Sequence, residues 1–196
     1  MLPRIQPMRL RITKPFDDPD YIFELKHDGF RALAYIEDGS CRLVSRNANQ
    51  FKSFQSLTES LSKLKVRSAI LDGEVVCLDA NGISQFNQLF SRQGKPVFYA
   101  FDLLWLNGED LRNVPLIERK QHLCELIRTN KLERIIYAQH VEGDGKLLFE
   151  EICNNDLEGI VAKRKHGIYK SNGIGWLKIK NPKYSQAEGR HEWRRG

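Results

Sequence analysis

Two Asp-Gly dipeptides, Asp28-Gly29 and Asp38-Gly39, each stand between short apolar runs, and they narrow what this chain can fold into more than any other feature. Glycine tolerates positive φ and aspartate bonds to its own backbone, so such dipeptides mark tight turns between antiparallel strands. The runs at 21–26, 31–37 and 41–46 are short and largely strand-like in pattern. They predict an antiparallel meander.

The rest of the chain mixes the two periodicities. Leu57, Leu61 and Leu64 lie at helical spacing within 56–64, and 83–90 reads as a short helix. Residues 115–128 open on Pro115 and carry Leu116, Ile117, Leu123, Leu126 and Ile127 on one side, which predicts a helix. A further helix is expected over 146–153. Strands are expected over 68–78, 97–106, 134–139, 157–163 and 175–180. Residues 1–20, rich in Pro, Arg and Asp, read as an irregular leader. The fold class expected is α+β, with mainly antiparallel sheets flanked by helices. One domain is expected over 1–184, followed by a polar, basic tail over 185–196.

Composition bounds the function. The chain has 196 residues, enough for one domain, and a formal charge of +6, which favours a polyanionic partner. Cys41, Cys77, Cys124 and Cys153 lie far apart, with no paired-cysteine or Cys/His metal spacing, so reduced thiols are expected. The N-terminus lacks an apolar signal segment and no apolar run is long enough to span a membrane. A cytoplasmic, monomeric protein that does not engage a membrane follows as the expectation.

The chemistry concentrates in short segments. These are Lys26-His27-Asp28-Gly29-Phe30-Arg31, Ser45-Arg46-Asn47, Leu71-Asp72-Gly73-Glu74, the run 98–102 ending on Phe101 and Asp102, residues 157–163, and residues 176–180. They contain what nucleotidyl transfer needs. A lysine amine attacks phosphorus only when neutral, and with an ordinary pKa of about 10.4 the neutral form costs roughly 4–5 kcal/mol at pH 7. Neighbouring cations favour the amine and also neutralise charge developing on the phosphates. Lys178 and Lys180, two apart on an expected strand, point to one face and are suited to that work.

In these segments and their order the chain resembles the covalent nucleotidyltransferases, and among them the adenylation domain of ATP-dependent DNA ligases. The likeness is greatest to the ligase domains of bacterial end-joining ligases. It is carried by residues 23–31, 99–108 and 157–164 and runs from about Pro15 to Lys183. The resemblance implies a nucleotidyltransferase fold with a nucleotide cleft between sheets, and the cofactors ATP and Mg2+ or Mn2+. Lys26 would be the catalytic nucleophile that carries AMP. Glu24 would read the adenine amino group, Phe101 would stack on the base, and Glu74 and Arg31 would hold the ribose. Arg46 would reach the ribose or a 5′-phosphate, and Lys163, Lys178 and Lys180 would face the phosphates. Asp28 and Glu158 would position the metal. The partner implied is nicked or broken DNA, sealed in DNA repair.

Ligases of this type continue into an OB-fold domain after the segment ending near Lys183, and here only 184–196 follow. No OB-fold domain is therefore expected in this chain, and an end-joining protein or one bearing an OB domain is the candidate partner. Two other readings share these motifs: an RNA ligase-like nucleotidyltransferase, and a non-catalytic module that holds DNA ends.

Overall fold

The computed structural model describes residues 2–187. The rest of the expected tail, with Arg190, Arg194 and Arg195, lies outside the described residues. The elements are β1 (Arg9–Ile12), β2 (Asp18–Leu25), β3 (Phe30–Glu37), β4 (Ser40–Ser45), α1 (Gln55–Leu61), β5 (Ser68–Cys77), α2 (Phe86–Phe90), β6 (Pro96–Leu106), β7 (Glu109–Asp110), α3 (Leu116–Asn130), β8 (Ile135–Tyr137), β9 (His140–Gly143), α4 (Gly145–Asn154), β10 (Gly159–Arg164) and β11 (Ile174–Lys180). They form a five-stranded sheet, β1-β11-β10-β2-β9, and a six-stranded sheet built on β4-β3-β5-β6-β7 with β8 joined to β6. Pairing is antiparallel except for β1 on β11 and β8 on β6. The α+β class read from the sequence is the one observed. Among the described residues no helix is long and apolar enough to cross a membrane.

Alternation explains the layers. Along β3, Ala32, Ala34 and Ile36 face a core shared with Leu57, Leu61 and Leu123 of the helices. Leu33 and Tyr35 face the other way and meet Met8, Ile70, Leu104, Tyr169 and Trp176 between the two sheets. Each Leu, Ile or Met side chain among them, once fully buried, contributes about 1.5–3 kcal/mol. A third cluster, with Phe23, Ile152, Ile160 and Ile179, packs α4 against the smaller sheet.

The meander needs correction at its first turn. Asp38 and Gly39 do close a hairpin between β3 and β4, with φ of 49° and 73°, as a two-residue turn requires. Asp28-Gly29 does not. β2 belongs to the five-stranded sheet and β3 to the six-stranded one, so the chain leaves one sheet and enters the other across residues 26–29. Gly29 is needed there for close approach, since a Cβ would sit 2.1 Å from the Val75 carbonyl oxygen.

The leader is more ordered than its composition suggests. Leu2, Ile5 and Met8 are buried, and β1 pairs with a strand over 160 residues downstream, a contact with no local sequence signal. At the other end, Ser185–Ala187 forms a 3-10 turn, with the Ser185 amide donating to Asp156 at 2.9 Å. The expected tail therefore begins with residues tied to the domain.

Candidate active site

A cleft of about 460 Å³ opens between the sheets, lined by residues from both: Glu24, Lys26, Lys163 and Trp176 from the smaller sheet and its crossing, and Arg31, Glu74 and Phe101 from the larger. The strand register brings them together. Glu24 lies opposite Val161 on β10, and Arg31 lies opposite Glu74 on β5. Beyond Lys26 a second cavity of about 510 Å³ is lined by His27, Asp28, Asn81, Ser84, Glu158 and Tyr184. Lys26 borders both cavities. Its position is fixed by its amide, which donates to the Gly159 carbonyl at 2.8 Å. Gly159 has φ of 144° and a Cβ there would meet the Ile179 oxygen at 2.1 Å, so no other residue fits without moving β11.

The Lys26 ammonium donates to Glu158 Oε2 at 2.6 Å. At the far end of the cleft, Glu24 is buried and takes Lys120 Nζ at 2.5 Å on Oε1 and Lys163 Nζ at 2.6 Å on Oε2. Burial pushes the Glu24 carboxyl up, but the two ammoniums outweigh it and hold the group below the usual carboxylate value. Lys163 also lies 4.3 Å from the Phe101 ring centroid and 4.0 Å from that of Trp176. The resemblance implies a phosphate-facing Lys163, whereas its ammonium lies against the carboxylate expected to read the base.

Arg31 is held from behind. Its Nε and Nη2 donate to the two oxygens of Asp72 at 3.0 and 2.6 Å, and Nη1 donates to the Met8 carbonyl at 2.6 Å. Tyr169 donates to the same Asp72 at 2.7 Å. Arg31 thus borders the cleft as a fixed cation, against the Trp176 ring at 4.8 Å. Glu74 makes no side-chain hydrogen bond among the described residues, and burial raises its pKa to about 8, only partly opposed by Lys26 and Arg31.

Arg46 is exposed and, like Lys178 and Lys180, does not line the cleft. Lys178 is half-buried. Burial first, then repulsion from Lys180 and Lys26, lowers its pKa. Trp176, Lys178 and Lys180 alternate onto one face of β11. That alternation also places Trp176 at the cleft, where it packs with the cluster between the sheets. His27, also unassigned, stacks on Tyr99 with centroids 3.7 Å apart and is kept neutral by burial, which lowers its pKa to about 4. Lys120 and Tyr184 carried no local signal, and Asp72 lies in a segment singled out by sequence without a role of its own there.

Asp28 and Glu158 both line the second cavity, although Asp28 accepts a hydrogen bond from Tyr184 at 3.0 Å and Glu158 one from Lys26. No group of three or more His, Cys, Asp or Glu among the described residues could hold an ion. Two hard carboxylate oxygens fit a magnesium ion that completes its shell with water and substrate phosphates.

Residues 5–180 match the family model described as ATP dependent DNA ligase domain. The chain belongs to that family. It is 33% identical over 168 residues to the multifunctional non-homologous end joining protein LigD of Pseudomonas aeruginosa, covering 82% of this chain and 20% of that protein. It is 30% identical over 193 residues to the SPbeta prophage-derived DNA ligase-like protein LigB of Bacillus subtilis, covering 93% of this chain and 69% of that one. The ligase domain of LigD from M. tuberculosis superposes with a TM-score of 0.79 at 27% identity, over 90% of this chain and 59% of that chain. A mycobacterial DNA ligase D complexed with ATP and MES gives 0.76 at 28% identity, over 90% and 60%. The chain thus spans about a fifth of the length of that LigD protein and about three fifths of the two solved chains.

The raised pKa of Glu74 carries a prediction. A carboxyl that titrates higher in the folded than in the unfolded chain keeps its proton on folding. The stability it contributes is full below the unfolded value of about 4.5 and is lost as pH rises to about 8. The slope is at most about 1.4 kcal/mol per pH unit for one proton. Glu74→Gln removes this dependence. Its Tm relative to wild type is expected to rise between pH 5 and pH 8, and parallel Tm-against-pH curves would contradict it.

Proposed function

We propose that this ligase domain adenylates itself at Lys26 with ATP and passes the AMP to a 5′-phosphate at a DNA break. The observation that carries the reading is the place of Lys26 on the crossing between the sheets, where it borders both an aromatic, lysine-lined cleft and a cavity holding two carboxylates. In this reading the base enters beside Phe101, with Glu24 and Lys163 at its edge, and Arg31 and Glu74 face the ribose. The triphosphate then points toward Lys26, with Lys178 and Lys180 near its path.

The Lys26 amine attacks the α-phosphorus, the N–P bond forms, and the bond to pyrophosphate breaks. Glu158 Oε2, 2.6 Å from Nζ, is placed to accept the departing ammonium proton. A magnesium or manganese ion held by Asp28 and Glu158 would neutralise charge on the α-phosphate and the leaving pyrophosphate. In the second step an oxygen of the 5′-phosphate attacks the phosphorus of lysyl-AMP and Lys26 leaves as an amine. A 3′-hydroxyl then displaces AMP. Arg46, exposed beside this face, is suited to the DNA phosphates.

The experiment that tests this presents the AMP-loaded protein with matched nicked duplexes of DNA and RNA at low salt. Transfer of AMP to the DNA 5′-phosphate, falling steeply as salt rises because phosphate contacts release counterions, is the expected result. Preferential transfer to the RNA nick would establish the RNA ligase reading instead. No transfer to either, by a protein that carries AMP, would refute the DNA-joining step.

A further inference from the structure

One buried charge at the base end of the cleft has no role in the reaction as described. Lys120 of α3 is 1% exposed. Its ammonium donates to Glu24 Oε1 at 2.5 Å and to the Ala138 carbonyl at 2.9 Å, and it sits 4.5 Å from the Tyr137 ring centroid. The second oxygen of Glu24 meets Lys163 at 2.6 Å. One carboxylate is therefore shared by two ammoniums, and this buried group is one positive charge in excess.

The two lysines are not equivalent. Lys120 stands behind Glu24, outside the cleft lining, and is closely held. Lys163 lines the cleft, and its Nζ has a close charge contact with Glu24 but no well-directed hydrogen bond among the described residues. A buried ammonium short of acceptors is costly, and apart from Glu24 the groups against Lys163 Nζ are the cleft-lining rings of Phe101 and Trp176. A ligand that brings an acceptor there is favoured, and one that brings a donor is penalised.

We propose that Lys120 is a specificity-determining positioning residue: by clamping Glu24 Oε1 from behind, it fixes Glu24 Oε2 and Lys163 Nζ as the acceptor–donor pair presented to the nucleobase. The matching edge of adenine carries an amino donor beside a ring-nitrogen acceptor. Guanine carries a carbonyl acceptor beside an N–H donor, the reverse order, and meets an unpaired group at both positions. The inference rests on the assignment of this cleft to ATP.

Lys120→Met leaves one carboxylate facing one ammonium, a balanced pair, with an unbranched side chain filling the space. The test follows initial rates of Lys26 labelling with ATP and with GTP for wild type, K120M, K120R, E24Q and the E24Q/K120M double variant. In K120M the ATP concentration for half-maximal labelling is expected to rise about tenfold or more. The preference for ATP over GTP falls with it, whereas a merely structural defect lowers both nucleotides alike. In the E24Q background K120M adds no further loss, because the clamp acts only through Glu24. An unchanged nucleotide preference in folded K120M overturns the proposal. If K120M does not fold, K120R decides: a shifted preference supports the clamp and an unshifted one overturns it. Wild-type protein that takes no label from ATP would refute the adenylation reading itself, an outcome distinct from labelled wild type with an unaltered K120M.

Discussion

Lys26→Ala is expected to abolish the AMP adduct completely while the domain stays folded. The side chain is partly exposed at the mouth of two cavities and makes one ion pair, with Glu158, so its removal opens no hole in the core. Glu158 is buried and loses its partner, but it borders the second cavity, where water can take the place of the ammonium. Stability is therefore expected to fall by about 1–3 kcal/mol, which leaves the domain folded. Lys26→Arg is expected to fail equally, since a guanidinium stays charged at any pH the fold survives and has no nucleophilic lone pair. Intact-mass measurement with ATP and magnesium checks both variants. An AMP adduct on either would place the nucleophile elsewhere.

The largest stability effect is expected from Asp102→Ala. Asp102 and Arg119 are both fully buried. The Arg119 Nε and Nη2 donate to the two oxygens of Asp102 at 2.7 and 2.8 Å, and Nη1 donates to the carbonyls of Val114 and Gly167. Removing the carboxylate strands a guanidinium without solvent or counter-charge, at a cost of about 3–5 kcal/mol. For a domain of this size that lowers Tm by roughly 10 °C. The double variant Asp102→Ala/Arg119→Met is expected to recover much of the loss, because it removes the stranded charge as well. Thermal unfolding checks both. A single variant within 1 kcal/mol of wild type would mean that the pair is solvated. The pair also bears on the site, since Asp102 follows Phe101 directly on β6 and anchors that strand to α3.

Much of the site could be read in the sequence because its residues come in short segments that keep strand alternation. Trp176, Lys178 and Lys180 share one face of β11, and Glu24 and Lys26 stand two apart at the end of β2. What could not be read depends on contacts distant along the chain. β1 does alternate, Arg9-Leu10-Arg11-Ile12, but nothing local marks its partner, and it pairs where β11 offers an edge. Asp28-Gly29 carries the composition of a hairpin turn, yet the chain changes sheets there, and the reason lies in Val75, which presses on Gly29 from β5. Lys120 resembles any polar helix residue until α3 is placed beside Glu24, 96 residues away in sequence. Asp72 and Tyr184 are similar cases, set against Arg31 and Asp28 by tertiary packing alone. Charge pairs inside the fold were the least legible feature, because a buried lysine and a solvated one look alike in sequence.

Lysyl-AMP formation is the central claim, and the intact mass of the wild-type chain after incubation with ATP and magnesium tests it most directly. The account predicts a gain of one AMP, mapped to Lys26 in the peptide spanning the sheet crossing and reversed by added pyrophosphate. A protein that binds ATP yet gains no mass, or carries its AMP on any other residue, would contradict it.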